Sequence, residues 1–318
     1  MSATSARRVG AIDCGTNSIR LLIADVGADG RLVDLVRRME IVRLGQGIDR
    51  TGVIAPEAME RTLAMTREYA GQCREHGVDA VRFVATSASR DARNAGEFVA
   101  GVRAAFGDLD VSPEVVDGVG EAELSFTGAT GELQALALPG PYLIVDLGGG
   151  STELVRGTAH VEAAFSMDVG SVRMTERHLH DDPPTTDQVA AARLDVMGAL
   201  DVAEEVVGLG AVGAVVGLAG TITTITAHAL RLVAYDPEAS HLAQISAEVH
   251  REACRSLLAM TRAERATLGF LHPGRVDVIG GGALVWLEVL DRVLARSPDA
   301  VIVTSEHDIL DGIALSLI

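Results

Sequence analysis

The sequence contains no lysine, since all 27 of its basic residues are arginines. Contacts to an anion such as phosphate must therefore come from arginine, backbone amides, hydroxyl groups or a metal ion. Aromatic residues are scarce as well, at 3% of the 318 positions. The hydrophobic residues, 48% of the chain, are thus mostly aliphatic, which is typical of the buried sheets of α/β proteins. A chain of this length also exceeds the size at which one core usually keeps growing, so two domains are expected.

Cysteine is rare too. Cys14, Cys73 and Cys254 are odd in number and far apart, and their spacing matches neither a disulfide framework nor a metal site. This pattern predicts free thiols in a reducing compartment. Residues 1–8 are polar and basic and lack the apolar stretch of a signal peptide, so we expect a cytoplasmic protein.

Residues 211–230 carry no formal charge, and a segment of this length could cross a bilayer. Glycine and threonine are frequent in it, however. This composition favours a buried strand, a glycine turn and a helix within a globular domain. We therefore predict no membrane partner.

Negative charge dominates, with a formal net charge of -17. Residues 1–100 hold 14 arginines against 13 acidic residues, whereas residues 101–318 hold 13 arginines against 31 acidic residues. Such an excess repels a polyanion at long range. We therefore predict no nucleic-acid partner.

The order of the predicted elements repeats along the chain. Three strands within residues 9–38, joined by turns at 15–17 and 27–30, precede alternating helices and strands. The same order starts again at residue 142, with a three-stranded meander over residues 142–166 and then helices and strands, including a predicted strand at 276–279. This order predicts an α/β fold made of two similar domains.

A short motif marks the repeat. Asp13-Cys-Gly-Thr-Asn-Ser18 and Asp146-Leu-Gly-Gly-Gly-Ser151 both read Asp-x-Gly-x-x-Ser between two strands. Two copies indicate internal duplication more specifically than either copy alone. Small residues and amides in such a turn can line an anion site, and two facing turns would form a cleft. A dinucleotide-binding fold is excluded, because Ser151 begins a strand where that fold requires a helix.

Acidic residues accompany these turns. Glu153 lies in a strand-like run behind Asp146, so the hairpin can bring the two carboxylates together. A charge within a strand is costly unless it is solvated, paired or metal-bound, and Mg²⁺ typically uses one or two carboxylates. The alternative places Glu153 on an edge strand, facing solvent. Glu121 begins a predicted helix, where an acid is also expected because of the helix dipole.

Taken together, the motifs resemble those of the exopolyphosphatase and guanosine pentaphosphate phosphatase family. The resemblance rests on the Asp13 motif, Ala85-Thr-Ser-Ala-Ser-Arg90-Asp-Ala-Arg-Asn94, Asp117-Gly-Val-Gly-Glu121-Ala and the Asp146 motif extended to Glu153. It implies the actin, sugar kinase and Hsp70 superfold, an α/β fold in which duplicated ribonuclease H-like domains flank a cleft. We place the first domain at residues 1–126 plus 306–318 and the second at 127–305.

The resemblance also implies roles for single residues. Glu121 matches the catalytic base, Asp146 and Glu153 match catalytic, metal-associated carboxylates that would hold Mg²⁺, and Arg90 matches an arginine that contacts substrate phosphates. Arg90 could instead pair with Asp91 or lie on the surface. The other predicted substrate-binding residues are small or polar and lie in the turns: Thr16, Asn17, Ser18, Gly148, Gly149, Gly150, Ser151, Gly220 and Thr221.

The function implied is hydrolysis of the terminal phosphate of inorganic polyphosphate by metal-assisted attack of water. A guanosine pentaphosphate 5'-phosphohydrolase needs the same phosphate site and is the alternative enzyme. A noncatalytic alarmone-binding sensor is the alternative of another class. Longer family members carry extra carboxy-terminal domains that do not follow Ile318 here, so we expect short polyphosphate chains as substrates. A homodimer is left open.

Overall fold

The computed structural model of the chain describes residues 7–27, 30–109, 111–133 and 136–318. It divides into two compact units. Unit 1 comprises Met1–Gly128 and Ile309–Ile318, and unit 2 comprises Ala129–Asp308. The turn predicted at 27–30 includes Ala28 and Asp29, which lie outside the described residues.

Unit 1 contains a five-stranded mixed sheet in the order β3-β2-β1-β4-β5. The first three strands are antiparallel neighbours, whereas β4 and β5 run parallel to β1. The strands are β1 (Arg7–Cys14), β2 (Ser18–Val26), β3 (Leu32–Ile41), β4 (Ala80–Ala85) and β5 (Glu114–Val115). The helices that follow these strands are α1 (Ile48–Thr51), α2 (Pro56–Glu75), α3 (Ser87–Asp91), α4 (Ala95–Phe106) and α5 (Gly118–Leu133), of which α5 continues into unit 2.

Unit 2 contains a second five-stranded sheet, in the order β10-β9-β6-β7-β8. The strands are β6 (Tyr142–Leu147), β7 (Thr152–Gly157), β8 (Val161–Met167), β9 (Ala214–Leu218) and β10 (Val301–Thr304). The helices are α6 (Ser171–His178), α7 (Thr186–Val207), α8 (Ala219–Ala229), α9 (Pro237–Ser240), α10 (Ala247–Ala259), α11 (Arg262–Arg265) and α12 (Ile279–Arg296), and the chain ends with α13 (Ile309–Leu315) in unit 1.

The two sheets have the same strand order when the second is written from β8 to β10, as β8-β7-β6-β9-β10. Each is an antiparallel meander of three strands extended by two parallel strands. This is the duplicated ribonuclease H-like arrangement, and the fold class predicted from the sequence is confirmed. Parallel strands buried on both faces explain why β1 and β6 read as nearly continuous apolar runs.

Helices cover both faces of the unit 1 sheet. On one face, Phe83 of β4 packs edge-to-face against Phe98 and Phe106 of α4, each with ring centroids 6.2 Å apart. On the other face, α13 packs on β1 and β2. A side chain on Gly312 of α13 would collide with the carbonyl oxygen of Leu124 in α5, so this glycine permits close packing of the two helices.

The strand predicted at 276–279 is wrong. Residues 276–278 form a turn, and α12 begins at Ile279, so Gly280–Gly282 lie in its first turn instead of preceding it. Only Ile279 of the predicted strand lies in the helix, and Val276 and Asp277 of the turn are half-buried. A short apolar run does not by itself distinguish a strand from the residues that lead into a buried helix. The strand–turn–helix prediction for residues 211–230 is confirmed by β9 and α8.

Within the described ranges, the helices are either too short or too polar to cross a bilayer.

A buried histidine lies in the core of unit 2. His250 of α10 is fully buried, and its Nδ1 accepts a hydrogen bond from Nε1–H of Trp286 in α12 at 3.3 Å. The two rings meet edge to face, with centroids 5.9 Å apart. Burial lowers the pKa of His250 to about 4, so the imidazole is neutral in the folded protein at neutral pH.

We predict that His250 makes unit 2 less stable as the pH falls from about 6.5 to about 4. In this window the unfolded chain binds a proton at His250 and the folded chain does not, so lowering the pH favours unfolding by up to about 1.4 kcal/mol per pH unit. His250→Gln keeps an acceptor for Trp286 but does not titrate. Urea unfolding at about pH 7 and about pH 5 should show a smaller loss of stability in this variant than in the wild type.

The exposed His180 supplies the control, because His180→Gln should retain the pH dependence of the wild type. Equal loss of stability in His250→Gln and in the wild type would contradict the prediction.

Candidate active site

The first Asp-x-Gly-x-x-Ser motif forms the hairpin between β1 and β2. The amide of Gly15 donates to the carbonyl of Ser18 at 2.9 Å. Thr16 is buried, and its hydroxyl hydrogen-bonds with that of Ser87, the first residue of α3, at 2.8 Å. The carbonyl of Asn17 accepts from the amides of residues 42 and 43 at 3.0 and 2.8 Å. The turn is therefore held from two sides, by the start of α3 and by the segment after β3.

The predicted base and the predicted substrate arginine contact each other within unit 1. Nη1 of Arg90 in α3 donates to Oε2 of Glu121 at 3.1 Å and to the carbonyl of Val116 at 3.1 Å. The side chain of Glu121 is 10% exposed and that of Arg90 is 25% exposed. Arg90 therefore forms an ion pair with Glu121, which is distant from it in sequence.

The two carboxylates predicted to bind metal are cross-strand neighbours in unit 2. Asp146 of β6 lies directly opposite Glu153 of β7, and both are buried. Oε1 of Glu153 accepts a hydrogen bond from the hydroxyl of Ser166 in β8 at 2.7 Å. Because β7 is paired on both sides, the alternative that Glu153 faces solvent on an edge strand is wrong.

The duplicated position in unit 1 carries a different pair. Asp13 lies opposite Arg20, 133 positions before Asp146 and Glu153 respectively. Nη2 of Arg20 donates to Oδ2 of Asp13 at 2.7 Å, and Nε donates to the same oxygen at 2.9 Å. One copy therefore pairs an acid with an arginine, whereas the other places two acids side by side.

Two buried carboxylates in adjacent positions are costly unless a cation, a proton or hydrogen-bond donors offset their charge. Asp146 and Glu153 offer hard oxygen ligands at the end of a strand, beside a glycine turn. This donor set fits Mg²⁺, which combines one or two carboxylates with water and phosphate oxygens. The residues present thus fit the metal that the sequence predicted.

The second glycine turn rests on the first turn of α6. The amide of Gly148 donates to the carbonyl of Ser151 at 3.0 Å, and the carbonyls of Gly148 and Gly149 accept from the amides of Ser171 and Val172 at 3.0 and 2.9 Å. A side chain on Gly170 would collide with the carbonyl of Gly149, so the close approach requires glycine there.

The first turns of α8 and α12 also lie near this turn. A side chain on Gly282 in α12 would collide with Thr221 of α8 and would crowd Ser171 of α6. Leu218, the last residue of β9, pairs with Asp146 in the sheet. Ala219, which begins α8, has a φ of 66°, a backbone conformation that is strained for a residue with a side chain.

The amino-terminal turns of three helices therefore meet beside the Gly148–Gly150 turn, next to the two carboxylates. Helix amino termini carry a partial positive charge, which favours phosphate, although the first amides of α6 themselves donate to the carbonyls of Gly148 and Gly149. The arrangement can bind phosphate oxygens without lysine. Gly220, Thr221, Ser151 and the glycine turn lie together in unit 2, whereas Thr16, Asn17, Ser18, Arg90 and Glu121 lie in unit 1.

Several polar residues at these positions were not identified from the sequence. Ser87 hydrogen-bonds with Thr16, and Ser166 hydrogen-bonds with Glu153. The hydroxyl of Ser171 donates to the carbonyl of Gly148, and Nη1 of Arg275 donates to the carbonyl of Gly220 at 3.4 Å. Ser171 could be recognised from the sequence, because serine is common where a helix begins. The other contacts depend on strand pairing and helix packing, for which the local sequence contains no signal.

The chain is similar in sequence to known phosphatases. The family model described as the Ppx/GppA phosphatase family matches residues 22–317. Exopolyphosphatase 2 of Mycobacterium tuberculosis is 50% identical over 315 residues, which cover 98% of this chain and 98% of that protein.

Solved structures are similar in fold. The crystal structure of an exopolyphosphatase-like protein matches with a TM-score of 0.93 at 47% identity, covering 99% of this chain and 98% of the other. The crystal structure of the Ppx/GppA family member of Aquifex aeolicus matches with a TM-score of 0.79 at 28% identity, covering 98% and 97% of the two chains.

We predict that Mg²⁺ stabilises the protein against thermal unfolding through Asp146 and Glu153. At an Mg²⁺ concentration about a hundredfold above its dissociation constant, the stabilisation should be about 2.7 kcal/mol. Asp146→Asn and Glu153→Gln should each lose most of the Mg²⁺-dependent rise in the unfolding midpoint, because each removes one negative charge at the ion. Differential scanning calorimetry with and without Mg²⁺ measures this shift.

Asp13→Asn is the matched control, since it alters the duplicated aspartate opposite Arg20. It should lower the unfolding midpoint by breaking the ion pair, yet leave the Mg²⁺-dependent rise unchanged. An unaltered Mg²⁺ response in both unit 2 variants would show that their carboxylates do not hold the ion.

Proposed function

Since the chain belongs to the Ppx/GppA phosphatase family, we propose that it is an exopolyphosphatase that hydrolyses the terminal phosphate of inorganic polyphosphate. The observation that carries this proposal is the buried Asp146–Glu153 pair beside a glycine turn and three helix amino termini. The relative of Mycobacterium tuberculosis that is 50% identical over 98% of the chain bears the name exopolyphosphatase 2.

We assign the binding of the terminal phosphate to unit 2. The amides of Gly149 and Gly150 and the hydroxyls of Ser151 and Thr221 contact phosphate oxygens. The amide of Gly148 closes the turn on the Ser151 carbonyl, and Gly220 leaves space for the guanidinium of Arg275. Asp146 and Glu153 hold Mg²⁺, which supplies charge compensation for the phosphoanhydride oxygens. Ser166 fixes one oxygen of Glu153 and thereby orients its carboxylate.

We assign the activation of water to Glu121. Its carboxylate orients the attacking water and accepts its proton. Arg90 fixes the Glu121 carboxylate, and a guanidinium has enough N–H donors to hold a carboxylate and a phosphate oxygen together. Thr16, Asn17 and Ser18 are assigned to substrate contacts through the polar turn of unit 1.

A guanosine pentaphosphate 5'-phosphohydrolase would use the same groups on the phosphate chain and differ in accommodating a guanosine. The family name covers both activities. A noncatalytic alarmone sensor would not need a positioned base, and the contact between Glu121 and Arg90 favours an enzyme over a sensor. Phosphate release from short polyphosphate, long polyphosphate and guanosine pentaphosphate, each with and without Mg²⁺, distinguishes the three functions.

We place the enzyme in the cytoplasm. Cys14, Cys73 and Cys254 are all free and buried. Burial raises the pKa of the Cys73 thiol to about 12, so this thiol stays protonated and poorly reactive at neutral pH. Free structural thiols suit a reducing compartment.

We predict that Glu121→Gln lowers kcat by about 10² to 10⁴ and leaves substrate binding largely intact, because the amide keeps the shape but cannot accept the proton of the attacking water. Phosphate release under saturating substrate gives kcat, and equilibrium binding of polyphosphate to the variant gives the affinity. Glu123→Gln is the control, because Glu123 lies in the same helix and is exposed. Turnover by folded Glu121→Gln at the rate of the wild type would remove Glu121 from the mechanism.

We also predict that the enzyme favours short polyphosphate chains and releases the shortened chain after each cut. Residues 101–318, which include all of unit 2, hold 13 arginines against 31 acidic residues, so a long polyanion is repelled away from the local phosphate site. The binding free energy should therefore stop increasing once the chain is a few phosphate units long. Gel analysis of partial digests should show a ladder of intermediate lengths. If long polymer disappears without intermediates, and long chains are degraded more efficiently, the enzyme is processive and this prediction is wrong.

A further inference from the structure

Glu132, His241 and His307 of unit 2 bring three potential metal ligands together. The proposed phosphatase reaction assigns no role to these residues. Nε2 of His241 lies 2.6 Å from Oε2 of Glu132, and Nδ1 of His307 lies 3.5 Å from the same oxygen. The two imidazole rings are tilted by 41° with centroids 4.7 Å apart. One ligand atom from each residue lies within 4.8 Å of the other two. We refer to Glu132, His241 and His307 as the histidine cluster.

The cluster joins segments that are distant in sequence. Glu132 lies in the last turn of α5, His241 directly follows α9, and His307 lies between β10 and α13. The ring of His241 and the backbone of His307 each make a further contact. The amide of Glu306 donates to Nδ1 of His241 at 3.2 Å, and the amide of His307 donates to the hydroxyl of Ser305 at 3.0 Å.

A further hydrogen bond braces the loop that carries His307. The hydroxyl of Tyr235 donates to the carboxylate of Glu306 at 2.7 Å. Tyr235 precedes α9, so this contact ties the segment before His241 to the segment that contains His307. The contact holds the loop itself and does not touch a ligand side chain. It therefore keeps the segment that carries His307 close to the segment that carries His241.

We propose that Glu132, His241 and His307 bind a divalent transition-metal ion, with Zn²⁺ as the representative. Two imidazoles and one carboxylate are a ligand set that Zn²⁺ uses, with further positions completed by water. Imidazole suits Zn²⁺ and its neighbours in the transition series, whereas Mg²⁺ takes oxygen ligands and belongs at Asp146 and Glu153. The side chains of His241, His307 and Glu132 are 23%, 39% and 51% exposed, so an ion can enter from solvent.

Binding requires a rearrangement at His241. Its Nδ1 accepts the amide hydrogen of Glu306, so in the neutral ring the proton is at Nε2, facing Glu132. Coordination through Nε2 moves that proton to Nδ1, and the amide of Glu306 must then turn away. This rearrangement costs free energy, so we expect weaker affinity than at a preformed zinc site. An ion would link α5, the segment after α9 and the segment after β10, and would therefore stabilise the folded protein.

The test is calorimetric titration of the full chain with Zn²⁺ alone as the probe, after removal of metal by a chelator and in saturating Mg²⁺, which occupies the carboxylate pair. We expect one Zn²⁺ per chain and a rise of the unfolding midpoint by about 5 °C at a large excess over the dissociation constant. His241→Asn and His307→Asn should each weaken Zn²⁺ binding at least about tenfold. Glu132→Gln should also weaken it and provides a milder variant should an asparagine variant fail to fold.

His180→Asn is the matched control, since it removes an exposed histidine elsewhere in unit 2 and should leave Zn²⁺ binding unchanged. Phosphate release needs no Zn²⁺ in the proposed reaction, so the titration succeeds or fails independently of the phosphatase assignment. The proposal is overturned if the wild type does not bind Zn²⁺ under these conditions. It is equally overturned if folded His241→Asn and His307→Asn variants bind Zn²⁺ as tightly as the wild type, because the ion would then lie elsewhere and the cluster would be an ordinary set of ion pairs.

Discussion

The alignment of β6 between an antiparallel and a parallel neighbour is the constraint on which the candidate active site depends. Asp146, near the end of this strand, lies opposite Glu153 on one side and Leu218 on the other. The antiparallel pairing places two carboxylates together, and the parallel pairing brings the start of α8 to the same edge of the sheet. A slip of one residue in either register would turn the side chains to the opposite face. The core that packs on this sheet thus also determines the geometry of the acidic pair.

The two units have the same strand order but different residues at the equivalent strand ends. Asp13 and Asp146 occupy equivalent strand ends, but the residue opposite is Arg20 in unit 1 and Glu153 in unit 2. An arginine offsets the buried carboxylate internally, whereas a second carboxylate favours an external cation. One difference at a cross-strand position therefore makes one unit suited to a metal. The polar groups of unit 1, including the Arg90–Glu121 pair, are those to which we assign substrate contacts and the activation of water.

The sequence predicts local features well and distant contacts poorly. The meanders, the glycine turns and the proximity of Asp146 to Glu153 follow from strand patterns and from a hairpin, in which neighbours in sequence are neighbours in space. The helical state of residues 279–282 does not follow from the sequence, because three glycines after a short apolar segment are more typical of a turn than of a helix. The Arg90–Glu121 pair and the histidine cluster join segments far apart in the chain. Such contacts follow from tertiary packing.

The absence of lysine bears on how an acidic protein can hold a polyanion. Arginines in the described structure often serve internal ion pairs, as Arg20 does with Asp13, Arg37 with Asp311 and Arg292 with Glu204. A guanidinium committed to a carboxylate contributes less field at a distance than an isolated cation does. Affinity for phosphate then depends on short-range groups, namely turn amides, hydroxyl groups, a locally placed guanidinium or a cation. Because these act over a few ångströms, the protein can remain strongly acidic and still bind phosphate where the backbone is arranged to receive it.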